Sequence, residues 1–153
     1  MFLLLNLDDY EFFNVFYGPK KNNMIMNGFF TKLIYSNQYI TLYGLFFYLP
    51  LKTTTSFINH TSCLDISFLY KDTIQQLINI ENHLLSTYAE HINKKNVVKN
   101  GVSCLQNQIQ TGFLKYYKEN GYNKKHLYIK ISGIWETDKD FGITFKIIQY
   151  YGI

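Results

Sequence analysis

The chain has 153 residues, of which 47% are hydrophobic and 18% aromatic, and its formal charge is +4. That length and apolar content fit one domain with a sizeable core and exclude a disordered tail, while two cysteines exclude a disulfide scaffold. The 15 basic residues are all lysine, and Phe, Tyr, Met, Ile, Asn and Lys account for about half of the chain. These are residues of A/T-rich codons. The position of a Lys or Tyr, and not its abundance, therefore has to carry any functional argument.

The N-terminal segment Met1–Leu7 is apolar but short, lacks a basic flank and runs into Asp8, Asp9 and Glu11; it reads as a first strand and not as a signal peptide. Tyr10–Tyr17 is aromatic and β-branched and is expected to stop at the breaker cluster Gly18–Asn23. Met24–Ser36 reads as a strand, Asn37-Gln38 as a turn, and Tyr39–Leu49 as a third strand ended by Pro50. The densest apolar stretch, Ile40–Leu51, is too short for a membrane span of about 20 residues.

The period then changes. Asp72 with Gln75 forms a capping-box pattern, and Ile74, Leu77, Ile78, Leu84, Leu85, Tyr88 and Ile92 recur at helical spacing, predicting an amphipathic helix over Thr73–Ile92. Asn93–Asn96 ends it. A second helix is expected from Ser103, with Leu105, Ile109, Phe113 and Leu114 as its stripe and Gly121 past its end. His126–Glu136 and Gly142–Tyr151 alternate as strands around the turn Thr137–Asp140 and form the clearest hairpin in the chain. Gly44, Gly133 and Gly142 mark bulges or bends.

The expected organisation is a single α+β domain over 1–153: strands in about 1–49, a helical insert in about 50–125, and a C-terminal hairpin in about 126–151. The order βββ-αα-ββ is that of an OB-like five-stranded β-barrel or curled antiparallel sheet, a fold that binds oligonucleotides on one face.

Phe29–Ser36 with Tyr39–Gly44, and Tyr128–Glu136 with Gly142–Lys146, resemble a family of small proteins from large double-stranded DNA viruses that is associated with OB-like single-stranded DNA binding. The resemblance covers 24–49 and 126–148, leaves the helical insert unmatched, and is most specific at Gly133-Ile134-Trp135-Glu136 with its Gly142–Lys146 partner. It implies an intracellular protein of viral DNA replication or recombination, in the host nucleus or at a cytoplasmic replication site.

Single-stranded nucleic acid is bound by cations along the backbone path and rings on which bases stack. Strand alternation puts Lys32, Tyr39, Tyr43, Tyr128, Lys130 and Lys146 within reach of one face. Trp135 lies on the apolar phase of its strand and is a weaker candidate, as a core residue. Lys20-Lys21 and Lys124-Lys125, in expected loops, would extend the phosphate path. Without arginine there is no bidentate reading of guanine, so binding is expected to ignore sequence. The partner expected is single-stranded DNA, with RNA not distinguished from it, and a homo-oligomer is open. The alternative reading is a structural protein that self-associates through its aromatic sheet and amphipathic helix.

No Gly-rich phosphate loop or nucleophile elbow occurs. His60 with Cys63, completed by Cys104 or His126, makes a poor zinc pattern, and Asp138 and Asp140 are explained by turn chemistry. Cys63 and Cys104 read as buried free thiols, and Asn59-His60-Thr61 as a chance sequon. The expectation is a non-enzyme without metal, cofactor, small-molecule substrate or membrane.

Overall fold

In the computed structural model, residues 4–52, 63–118 and 125–151 are described. Nine strands and two α-helices occur among them: β1 (Val15–Asn22), β2 (Phe29–Ser36), β3 (Thr41–Leu42), β4 (Leu45–Leu49), β5 (Cys63–Asp65), α1 (Lys71–Asn93), β6 (Asn100–Val102), α2 (Cys104–Gln110), β7 (Phe113–Lys118), β8 (Lys125–Glu136) and β9 (Asp140–Tyr151). The class is α+β, as the alternating periods predicted. The five-stranded OB-like barrel is not what forms. The sheet runs β1-β2-β8-β9-β7-β5 and stays open, with β4 also on β8 and β6 also on β9.

The expected helical insert therefore carries three strands as well as two helices. The physical reason lies at Thr111-Gly112, where α2 stops and Gly112 takes φ +89. Beyond it Leu114 and Tyr116 are buried while Phe113, Lys115 and Tyr117 are exposed, an alternation of period 2. Phe113 and Leu114 thus belong to β7 and not to a helical stripe. β6 and β7 both run parallel to β9, which ties the insert to the main sheet, and β5 pairs β7 antiparallel within the insert.

The N-terminal strands also differ from expectation. Gly18-Pro19 does not end β1; it lies within it, at a register shift between Tyr17 and Lys20. β1 is an edge strand, where proline gives up no needed ladder bond. The turn falls instead at residues 23–28, so Met24–Asn27 lie in a hairpin loop outside β2. The expected third strand is split into β3 and β4 by Gly44, at φ +123. Of the expected N-terminal strand, Leu5 makes one bridge to Phe47, and Leu7–Asp9 forms a 3-10 turn.

α1 packs its stripe on one face of the sheet: Leu77, Ile80, Leu84, Tyr88 and Ile92 are buried with Leu33, Phe47, Ile129, Ile131 and Phe141. Its capping box is not formed. The helix starts one residue earlier than Asp72, after Tyr70, and Asp72 lies in the first turn, where its charge suits the helix dipole. Glu81, also buried, does the capping of α2: its carboxylate accepts from Leu105 N at 2.7 Å and Gln106 N at 2.8 Å. Ser103 makes no such bond. No helix among the described residues is long and apolar enough to cross a membrane.

β8 and β9 pair along nearly their whole length, with one extra residue, Ser132, between the Ile131–Phe145 and Gly133–Thr144 pairs. Before the bulge, even-numbered residues of β8 face away from α1; after it, odd-numbered ones do. Lys130 and Trp135 thereby share a face.

Candidate nucleic-acid interface

The face away from α1 is half-exposed. Phe46 and Tyr48 of β4, Lys130 of β8, Lys146 of β9 and Lys32 of β2 stand on it, because strand alternation puts their apolar neighbours Phe47, Ile129, Ile131, Ile147 and Leu33 underneath. A groove of about 580 Å³ opens between β1, β2 and β8, lined by Lys21, Phe30, Lys32, Tyr43, Lys130 and Ser132 among others.

The lysines here lie over rings. Lys32 Nζ is 4.9 Å from the Tyr43 ring centre, Lys130 Nζ is 5.6 Å from that of Phe46, and Lys146 Nζ is 4.5 Å from that of Tyr117. Phe46 is opposite Lys130, and Lys130 opposite Lys146, in adjacent ladders. Two like charges directly opposite on antiparallel strands repel. Both ion pairs formed by the described residues are at Glu136, so neither lysine is compensated by a carboxylate there. The cation–π contacts hold the ammonium groups over the sheet and orient them.

Of the residues picked from sequence, Lys32, Tyr43, Lys130 and Lys146 come together on this face, and Tyr43 is 62% exposed. Tyr39 does not join them. It is 83% exposed but sits in a turn, where Asn37 Oδ1 accepts from the backbone N–H groups of Tyr39 and Ile40. Tyr128 is on the right face but only 6% exposed, closed in by the rings of Phe46 and Tyr150. A base cannot lie on it as placed.

Trp135, expected on the apolar phase, is carried by the bulge onto the lysine face, where it is half-buried. It packs over Gly142: a Cβ there would stand 2.6 Å from the indole and 2.9 Å from Cys104 Sγ. Burial pushes the Cys104 thiol up, partly offset by its hydrogen bond with Trp135. Both cysteines are free and half-buried. Sequence reasoning missed Phe46 and Tyr117 as ring partners of the lysines and Phe30 as a wall of the groove. The alternation of Leu45–Leu49 signals Phe46; Tyr117 was hidden by the helical reading of its segment.

The other lysine cluster is of a different kind. The Glu136 carboxylate is fully buried and accepts from Lys99 Nζ at 2.8 Å, from Lys20 Nζ at 3.0 Å and from the Tyr88 hydroxyl, which also bonds Thr31 Oγ1. Burial alone would raise its pKa, but the hydrogen bonds from Lys99, Tyr88 and Lys20 prevail and hold it below the usual carboxylate value. Gly133 lies so close to β2 that a Cβ would collide with the Thr31 carbonyl and the Phe30 ring. Gly133, Trp135 and Glu136 of the most specific motif thus lock β8 to its neighbours.

Among the described residues, no group of three His, Cys, Asp or Glu side chains is placed to hold a metal. Asn59, His60, Gly121 and Lys124 lie outside the described residues, and so does the side chain of Lys125. No protein-family model, curated protein or solved structure matches this chain.

Proposed function

We propose that this protein binds single-stranded DNA without reading its sequence, as a non-catalytic component of viral DNA replication or recombination inside the host cell. The observation that carries the reading is the uncompensated Lys130–Lys146 pair on a half-exposed sheet face, continuous with a groove lined by Lys21, Lys32 and Tyr43. A phosphate between the two ammonium groups would turn their repulsion into attraction. Tyr43, Phe46 and Tyr117 supply rings beside the cations, and a base stacked on a ring is worth roughly 1–3 kcal/mol. The viral setting rests on the resemblance of the β2 and β8–β9 segments.

Fluorescence anisotropy with labelled oligo-dT at a series of salt concentrations tests this. Four lysines on four phosphates give a slope of log K against log salt of about −3. Absence of binding at low salt, or binding indifferent to salt, sinks the reading.

The second reading is self-association. The amphipathic helix is not available for it, since its stripe is spent on the sheet. The exposed rings of Phe12, Phe13 and Phe16 beside edge strand β1 are what favour it. Light scattering on the eluted protein, with and without oligonucleotide, separates the two: a stable oligomer indifferent to DNA supports self-association.

A further inference from the structure

The hairpin between β1 and β2 ends in Met24-Ile25-Met26. Met24 is 95% exposed and Ile25 96%, whereas the Leu and Ile side chains elsewhere among the described residues are buried or half-buried. The tip is held in place. Asn23 N–H donates to the Gly28 carbonyl at 3.0 Å, Asn23 Oδ1 accepts from Ile25 N–H at 3.0 Å, and Gly28 takes φ +140 at a place where a Cβ would collide with the Glu136 carbonyl. The strands below it line the groove through Lys21 and Phe30, which are paired in register. Ile25 follows Lys21 by four residues, a reach of at most about 14 Å.

We infer that Met24-Ile25-Met26 is an apolar wedge that enters the last base step of a duplex, so that the preferred substrate is a junction of single- and double-stranded DNA. The inference rests on the single-strand reading above. Apolar side chains, Met and Ile among them, are what proteins insert between base steps, and the unstacking they cause is cheapest where a duplex already ends. The frame of the wedge fits bases better than lipid. Asn22, Asn23 and Asn27 surround it with amides, which hydrogen-bond base edges and carry no charge for an anionic bilayer. Of the other nearby cations, Lys20 is committed to Glu136 and Lys139 lies between Asp138 and Asp140. Asp138 and Asp140 outnumber Lys139 in the pocket beside Asn27, so its net negative charge disfavours phosphates there and leaves the groove side as the approach.

The test compares labelled oligo-dT of about 16 nucleotides with the same strand joined to a duplex hairpin. The wild-type protein is expected to bind the junction about tenfold more tightly than the free strand. Met24→Ser/Ile25→Ser/Met26→Ser, altered only at the exposed tip, is expected to lose that preference and keep its affinity for oligo-dT. 2-Aminopurine at the last base pair should brighten with wild type and stay quenched with the variant. Equal wild-type affinity for both probes, or a variant that retains the preference, overturns the wedge and leaves single-strand binding standing. Failure to bind oligo-dT overturns both. Sedimentation of wild type, but not the variant, with phosphatidylcholine–phosphatidylserine vesicles, without a junction preference, identifies the tip as a lipid anchor and overturns the wedge.

Discussion

Lys20 and Lys21 are neighbours in β1 with opposite surroundings. Lys20 reaches a fully buried carboxylate that also holds Lys99 and Tyr88, while Lys21 lines an open groove with Lys32 and Lys130. In the first cluster two ammonium groups share one buried carboxylate, which fastens β1 and the β6 approach to β8. The second has cations over rings and no carboxylate to meet them among the described residues. The same residue type thus serves as structure in one place and as an unspent charge in the other, and the partner on the adjacent strand decides which.

The comparison breaks most visibly at Glu136. Glu136→Gln leaves Lys20 and Lys99 without a counter-charge and is expected to cost about 2–4 kcal/mol in urea denaturation, with oligo-dT affinity little changed in the folded protein. Unchanged stability would remove the structural role assigned to this cluster.

Acid titration examines the same group. The folded-state pKa of Glu136 lies below its ordinary 4.5, so its contribution is present above that value and is lost as pH falls through the lower, folded one. Glu81 works the other way, because burial raises its pKa despite the backbone bonds from Gln106 and Leu105, but it is common to both proteins. Below pH about 4.5 the wild type should therefore lose stability more steeply than Glu136→Gln, and parallel curves would contradict the assignment.

Lys130→Glu probes the open cluster. It places opposite charges on the Lys130–Lys146 ladder, so stability should rise by up to about 1 kcal/mol while affinity for oligo-dT falls about tenfold. Loss of stability and affinity together would mean that Lys130 holds the sheet and does not serve a ligand. The finest contrast is Lys20→Ala against Lys21→Ala. The first is expected to lower stability by about 1 kcal/mol at constant affinity, and the second to weaken binding severalfold at constant stability, the pair of melts and titrations showing a crossed pattern.

How much was legible in the sequence depended on whether a pattern was local. α1 carries a period of 3.6 and the β8–β9 hairpin a period of 2 broken only at Ser132, and both are found within a few residues of their predicted bounds. The pairing of β6 and β7 with β9 is parallel and distant in sequence, and no local signal encodes it. Gly18-Pro19 reads as a stop only if β1 is taken for an interior strand; at an edge it is tolerated. For the candidate site, alternation put Lys32, Lys130 and Lys146 on one face, where the sheet register also has them. It misplaced Tyr39, because the Asn37 side chain turns the chain there, and misjudged Tyr128, whose exposure is set by the Phe46 and Tyr150 rings. Trp135 was put in the wrong phase because a single inserted residue is invisible to a period count.

That insertion, Ser132, makes β8 a strand whose two halves are offset like gears one tooth apart. Substitution at Ser132 leaves the offset intact; deletion would merge the halves into one phase. The faces themselves would not change: with Lys125–Ile131 kept in register, Gly133 would follow Ile131 directly and still face Thr144, so Glu136 would stay on Lys20 and Lys99 and Trp135 on the lysine face. What the insertion adds is local bend and twist, twelve residues of β8 spanning eleven of β9.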